Sequence, residues 1–274
     1  MGTLFIRDSN CVYLDISVNS IMMKLLPIFT IAALLISGNP IDNLKVSEPP
    51  TKEQAQKLNH SNEEFEVYLN PENRVEYRDY DCKKVKGAEL PFKIIPNVDD
   101  MYAFGGRQVN LKIENGWLVG FDKGEWGGNL FWFNEKGTLY EKITSGNIKN
   151  IFQINDKIYV TEGLAHLSMS DGQIFQIERE NNKWIIERKV DLQTAPYATT
   201  LTKDNEFLIV TSKSLLKVNK NFEIETLIEE GFWRTYLYPN SIQISGQYIY
   251  IGMRGGILKT QLDNIANKIW LSKI

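Results

Sequence analysis

The 274-residue sequence has little of what most often carries chemistry. It holds two cysteines, Cys11 and Cys82, and two histidines, His60 and His166. Two cysteines cannot frame a disulfide-stapled scaffold, and two histidines cannot build a histidine-rich zinc centre. Neither sign of charge is in large excess: 31 lysines and arginines meet 34 aspartates and glutamates, for a formal net charge of -3. Such a balance lacks the basic footprint of a nucleic-acid binder. The composition is otherwise ordinary, 43% hydrophobic, 24% charged and 11% aromatic, which excludes disorder, collagen and a coiled coil.

One long apolar run is present, over residues 25–36, with Lys24 before it and Ser37-Gly38 after it. A basic flank, about a dozen apolar residues and small residues beyond them is the layout of a secretory signal peptide. A membrane-spanning helix needs about 20 apolar residues, so no permanent span is expected. A buried core helix is the alternative. Asp8 and Asp15 dilute the positive charge that should precede such a run, so translation is expected to begin at Met22 or Met23. Residues 1–38 are thus expected to be an upstream extension plus a signal peptide. The lack of a cysteine directly after the apolar run argues against a lipid anchor. Cleavage near Gly38 would remove Cys11 and leave Cys82 as a lone, inert thiol. The expected location is outside the inner membrane, periplasmic or secreted.

Residues 39–61, with Pro40, Pro49 and Pro50, are expected to form a linker with at most one short helix. From Val109 the pattern changes to runs of β-branched and aromatic residues punctuated by Asn, Gly, Asp and Lys. Four runs align: residues 116–120 (GWLVG), 157–161 (KIYVT), 207–211 (FLIVT) and 248–252 (YIYIG). Each is preceded by one strand and followed by two. The equivalent positions Gly120, Thr161, Thr211 and Gly252 lie 41, 50 and 41 residues apart.

Four short antiparallel strands recurring every forty-odd residues are the signature of β-propeller blades, which bury their faces only by stacking around an axis. On this pattern the chain resembles the broad superfamily of exported β-propellers, without motifs of any family of known chemistry. The expected fold is all-β: a propeller over 62–274 with four clear blades and an irregular fifth built from the strand-like pieces at 65–69 and 74–77. A β-sandwich of the same strands is the alternative.

In a propeller, the second-to-third-strand hairpins and the links from one blade to the next share one face, where function collects on loops held by a rigid scaffold. That face is expected to carry Glu125, Trp126, His166, Tyr197, Trp233, Arg234, Tyr236 and Tyr238. Exposed aromatics with an arginine are the usual anchors of a recognition patch. The other reading is that the rings plug the seams between blades. The run Gly124-Glu125-Trp126-Gly127-Gly128 is no phosphate loop, because a strand and not a helix follows it. Asp122, Glu125 and Glu162 show no metal-ligand spacing with His166, and solvated turn acids or a calcium site are the readings left open. Ser168 and Ser170 near His166 make no triad.

The expected function is therefore non-enzymatic binding of a protein or glycan partner through the loop-rich face, by a monomer without cofactor or metal, of an envelope-recognition, inhibitor or immunity type. The alternative is a propeller hydrolase, lyase or cyclase using His166 with Glu125 or Glu162 in a central funnel.

Overall fold

The computed structural model describes residues 40–97, 102–167 and 169–273. The leader expected over residues 1–38 lies outside them. Among the described residues no helix is long and apolar enough to cross a membrane.

Four sheets follow one another along the chain, each an antiparallel meander of four consecutive strands. The first contains β5 (Arg107–Ile113), β6 (Gly116–Asp122), β7 (Gly128–Phe133) and β8 (Tyr140–Ser145). The second contains β9 (Ile148–Ile154), β10 (Lys157–His166), β11 (Met169–Glu180) and β12 (Lys183–Asp191). The third contains β13 (Pro196–Leu201), β14 (Phe207–Thr211), β15 (Leu215–Val218) and β16 (Ile224–Ile228). The fourth contains β17 (Ser241–Ser245), β18 (Tyr248–Met253), β19 (Gly256–Gln261) and β20 (Lys268–Ser272). A separate hairpin pairs β2 (Phe65–Leu69) with β3 (Val75–Asp79).

Burial follows strand position. β6 and β14 are buried along their whole length, as strands covered on both faces must be, and their sequences are near-continuous apolar runs. The fourth strands β12 and β16 are mostly exposed and carry the charge. Tight first hairpins suit these strands because Asn155 (φ 53°) and Gly246 (φ 59°) accept the left-handed conformation that such turns demand. A bulge recurs between the third and fourth strands of three sheets, at Leu130/Phe131, Ile174/Phe175 and Leu215/Leu216. Bulges of this kind sharpen local twist.

The core is divided among the seams and not gathered into one layer. Val109, Leu118 and Leu130 of the first sheet meet Ile151, Val160 and Phe175 of the second. Tyr159 and Ile174, on the opposite face of the second sheet, meet Phe207, Ile209 and Val218 of the third. Leu208, Val210 and Leu215 meet Ile249, Ile251 and Leu258 of the fourth. Tyr250, Ile257 and Leu271 then meet Phe65, Val67 and Val75 of the hairpin. At the other end of the series Leu90, Phe92, Ile94 and Phe104 lie over Trp117, Phe131 and Phe133 of the first sheet. The first strands touch in order, β5 to β9, β9 to β13, β13 to β17 and β17 to β2. Sheets stacked face to face in sequence, with their first strands innermost, form a β-propeller; a sandwich would have a single core between two sheets.

Residues 40–61 do not behave as a linker. β1 (Lys45–Ser47) pairs with β20 as a fifth strand on the outer edge of the last sheet. α1 (Lys52–Leu58) starts at a Thr51/Gln54 capping box and inserts Ala55 into the seam between the third and fourth sheets. In the uncleaved chain Cys82 is disulfide-bonded; the lone thiol expected there belongs to a chain cleaved near Gly38. A further short strand, β4 (Lys86–Gly87), runs parallel to β5 on its inner side, which places it at the axis.

Candidate functional site at the upper end of the ring

The end at which the first strands begin is called the upper end. The hairpins β6–β7 and β10–β11 are the long ones there. In the first, Asp122 accepts from the Gly124 amide (3.0 Å), a 3-10 turn follows over Gly124–Trp126, and Trp126 stands 79% exposed. In the second, β10 and β11 run on past the sheet to a tip at Leu167, which adopts a left-handed φ of 54°. The two hairpins touch. Glu125 Oε2 lies 3.2 Å from His166 Nε2, and Asn147, in the link from β8 to β9, bridges the two, its carbonyl accepting from the Gly163 amide and its Nδ2 donating to the Gly124 carbonyl. The result is a rim on which Trp126, Leu167 (75% exposed) and Met169 (62%) stand in solvent. Tyr102, also exposed, joins them through its carbonyl, which accepts from Lys123 Nζ at 2.6 Å.

Only part of the expected patch is on this rim. Glu125, Trp126 and His166 are together. Tyr197, second residue of β13, is half-buried at the axial end. Arg234 is exposed and paired with Glu230, and Tyr238 lies under the Arg254 guanidinium, 5.0 Å from its ring centre. Trp233 is not on the face at all. It is 1% exposed, packs edge-on against Phe232, and donates from Nε1 to the Thr211 carbonyl at 3.1 Å. Tyr236 is packed against the same cluster. Residues 232–237 fold as a single turn whose apolar members insert between the third and fourth sheets, so these two rings are seam plugs.

The axial end holds a second arrangement. Lys149, on β9, is 2.7 Å from Asp122, and Arg107, first residue of β5, is 3.9 Å from the same carboxylate. Burial would raise the Asp122 carboxyl, but Lys149, Arg107 and the two hydrogen bonds it accepts hold it below the usual carboxylate range. Tyr80 is stacked near the Arg107 guanidinium, 5.6 Å away, and burial pushes its phenol up to about 12. Lys86 of β4 donates to the Asn240 carbonyl at 3.3 Å. Burial, reinforced by Arg107 and Lys149, pulls its ammonium down to about 8 against the opposing pull of Glu66 and Asp122. Nearby, Glu66 takes two hydrogen bonds from Arg78, both 2.7 Å, and Glu64 takes the Arg254 guanidinium at 2.6 Å. Glu162 is raised by burial, opposed by the 2.8 Å hydrogen bond from Gln173. Among the described residues no group of three or more His, Cys, Asp or Glu side chains is placed to hold a metal ion.

No motif in the sequence marks this axial set. The available signal was positional: Arg107 and Lys149 both sit at the start of first strands in consecutive repeats, where an apolar seam residue is not needed. Lys86 gave no such signal, because β4 is two residues long.

No protein-family model matches the sequence, and no curated protein matches it. Among solved structures, the chain is similar to the extracellular domain of a protein named as a one-component system from B. thetaiotaomicron, at 14% identity and a TM-score of 0.44. That match covers 73% of this chain and 27% of the other, so the chain spans about a quarter of that domain's length. It is also similar to a protein named as a 6-phosphogluconolactonase from Bacteroides uniformis, at 10% identity and a TM-score of 0.37, over 77% of this chain and 62% of that one. A protein named as a gluconolactonase matches at 9% identity and a TM-score of 0.37, over 59% of this chain and 71% of that one.

Proposed function

We propose that the chain is an exported, non-enzymatic recognition module that binds a protein partner through the rim formed by the β6–β7 and β10–β11 hairpins. The observation that carries this reading is a tryptophan, a leucine and a methionine left in solvent on two hairpins that brace one another. Large exposed apolar groups clustered on rigid supports are what a hot spot needs, whereas scattered ones require no explanation. The Glu125–His166 pair joins these hairpins and lies away from the first strands, which speaks for a bracing role over the acid–base role of the alternative.

The test is capture from the envelope or secreted fraction of the source with the wild-type chain and with a Trp126→Ala, Leu167→Asp double variant. Loss of the captured protein at an unchanged melting temperature supports the reading. Retention of the same partner by the double variant overturns it, and a carbohydrate captured through the same residues moves it to a glycan ligand.

Export carries its own test. A disulfide at Cys82 suits an oxidising compartment, yet Cys11 is the other cysteine of the sequence and precedes the expected cleavage point. A native protein that starts near Asn39 must therefore show a free thiol at Cys82 after denaturation. One that starts at Met1 shows none, and the cleaved leader is then wrong.

A further inference from the structure

We infer that the axial end of the ring is a binding site for a small oxyanion, a phosphate-type or carboxylate group held between Arg107 and Lys86. This goes beyond the rim proposal and does not depend on it. The carboxylates around the axis are already taken: Asp122 by Lys149, Glu66 by Arg78 and Glu64 by Arg254. Arg107 is left with a 3.9 Å approach to Asp122 and no hydrogen bond to any described residue, although a guanidinium has five donors in a fixed fork. Lys86 has one acceptor for three donors, the Asn240 carbonyl. The Nδ2 donor of Asn240, a residue 5% exposed, is buried and has no acceptor. Donors therefore outnumber acceptors around two cations that act on one another, with Asp122 as the carboxylate nearest to Arg107.

The unmet donors favour an anion, which would fill the guanidinium fork and offset the burial of the Lys86 ammonium. The site is reachable, since the Arg107 side chain is 41% exposed while Tyr80 backs its guanidinium. The Lys86 ammonium is depressed first by burial; it faces Arg107 on β5 and Lys149 on β9, which add to the effect, and Glu66 on β2 and Asp122 on β6, which oppose it.

Sulfate and malonate serve as probes, because both stay fully ionised from pH 7 to 9. The full chain is titrated with each at constant ionic strength, with sodium chloride as the balance, by calorimetry and by melting temperature. Saturable binding with a rise in melting temperature is expected, and the preferred probe separates a tetrahedral ligand from a carboxylate. Arg107→Gln and Lys86→Met should each weaken binding about tenfold or more, while Arg234→Gln on the same end leaves it unchanged. Affinity should also fall as pH passes 8 in the wild type and not in Lys86→Met. If Lys86→Met fails to fold, Arg107→Gln decides. An effect no larger than that of chloride for both probes, or binding indifferent to Arg107→Gln and Lys86→Met, overturns the site. Trp126→Ala should not alter anion binding, so failure here and failure of the rim are distinguishable.

Discussion

Trp126 and Trp233 show one residue type in two roles. Each lies in a loop with a glycine close before it, and the surrounding residues have no period that reveals direction. Trp233 is distinguished by Leu237 four residues on, which inserts with it into the same seam. Replacing Trp233 with alanine removes a fully buried ring and its hydrogen bond to Thr211, and should cost about 3–5 kcal/mol in urea unfolding. Trp126→Ala should stay within about 0.5 kcal/mol, since its ring is already in water. Lys86 gives a pH prediction. Its folded value of about 8 lies below the ordinary lysine value of 10.5, so the folded state binds fewer protons between them and stability must rise with pH across that window. Tyr80, raised to about 12, acts in the opposite sense above pH 10. In Lys86→Met the rise between 8 and 10 should vanish, as read from melting temperatures at stepped pH. The axial site was hard to read for the same reason that Lys86 is perturbed: its members come from β4, β5, β6 and β9, and only tertiary folding gathers them.

At the scale of elements, the regular repeats were legible and the irregular ones were not. Strands five residues long with buried faces leave a pattern in hydropathy, and turns such as Asn155-Asp156 mark where they reverse. Residues 40–61 have no such length. Their hold on the ring comes from a few well-placed contacts: Ile41 and Leu44, one helical step apart, insert beside Val75 of the hairpin and Leu271 of the last sheet. β1 extends that sheet along its edge. The segment therefore ties the last sheet to the hairpin, and proline-rich composition hid this because capping and edge pairing require neither periodicity nor many apolar residues. Ile41→Ala and Leu44→Ala should each cost about 2–4 kcal/mol. Hydrogen exchange should accelerate in β2 and β3 before it does in β10 and β11. Equal acceleration throughout would mean that the segment stabilises the whole ring uniformly and is no local tie.

At the scale of the whole molecule, stability depends on the stacking of sheets around the axis. Each sheet is apolar on both faces, as Tyr159 and Val160 show by entering different seams from adjacent positions of one strand. One sheet cannot bury both faces, and neighbours supply the missing half, so stability is a sum of seam terms that fails at any open end. Residues 107–228, the first three sheets, keep two inner seams. They lose the partners of Leu208, Val210 and Leu215 on one side and the cover that Leu90, Phe92, Ile94 and Phe104 give to Trp117, Phe131 and Phe133 on the other. Two uncovered faces of that size are the kind of exposed apolar surface that drives association. Produced alone, this fragment should bind a hydrophobic dye, self-associate and melt without a sharp transition, while the full chain unfolds in one cooperative step. A monomeric fragment with a sharp melt would mean that three sheets suffice, and that the fourth sheet and the hairpin serve the axial and rim sites more than the fold.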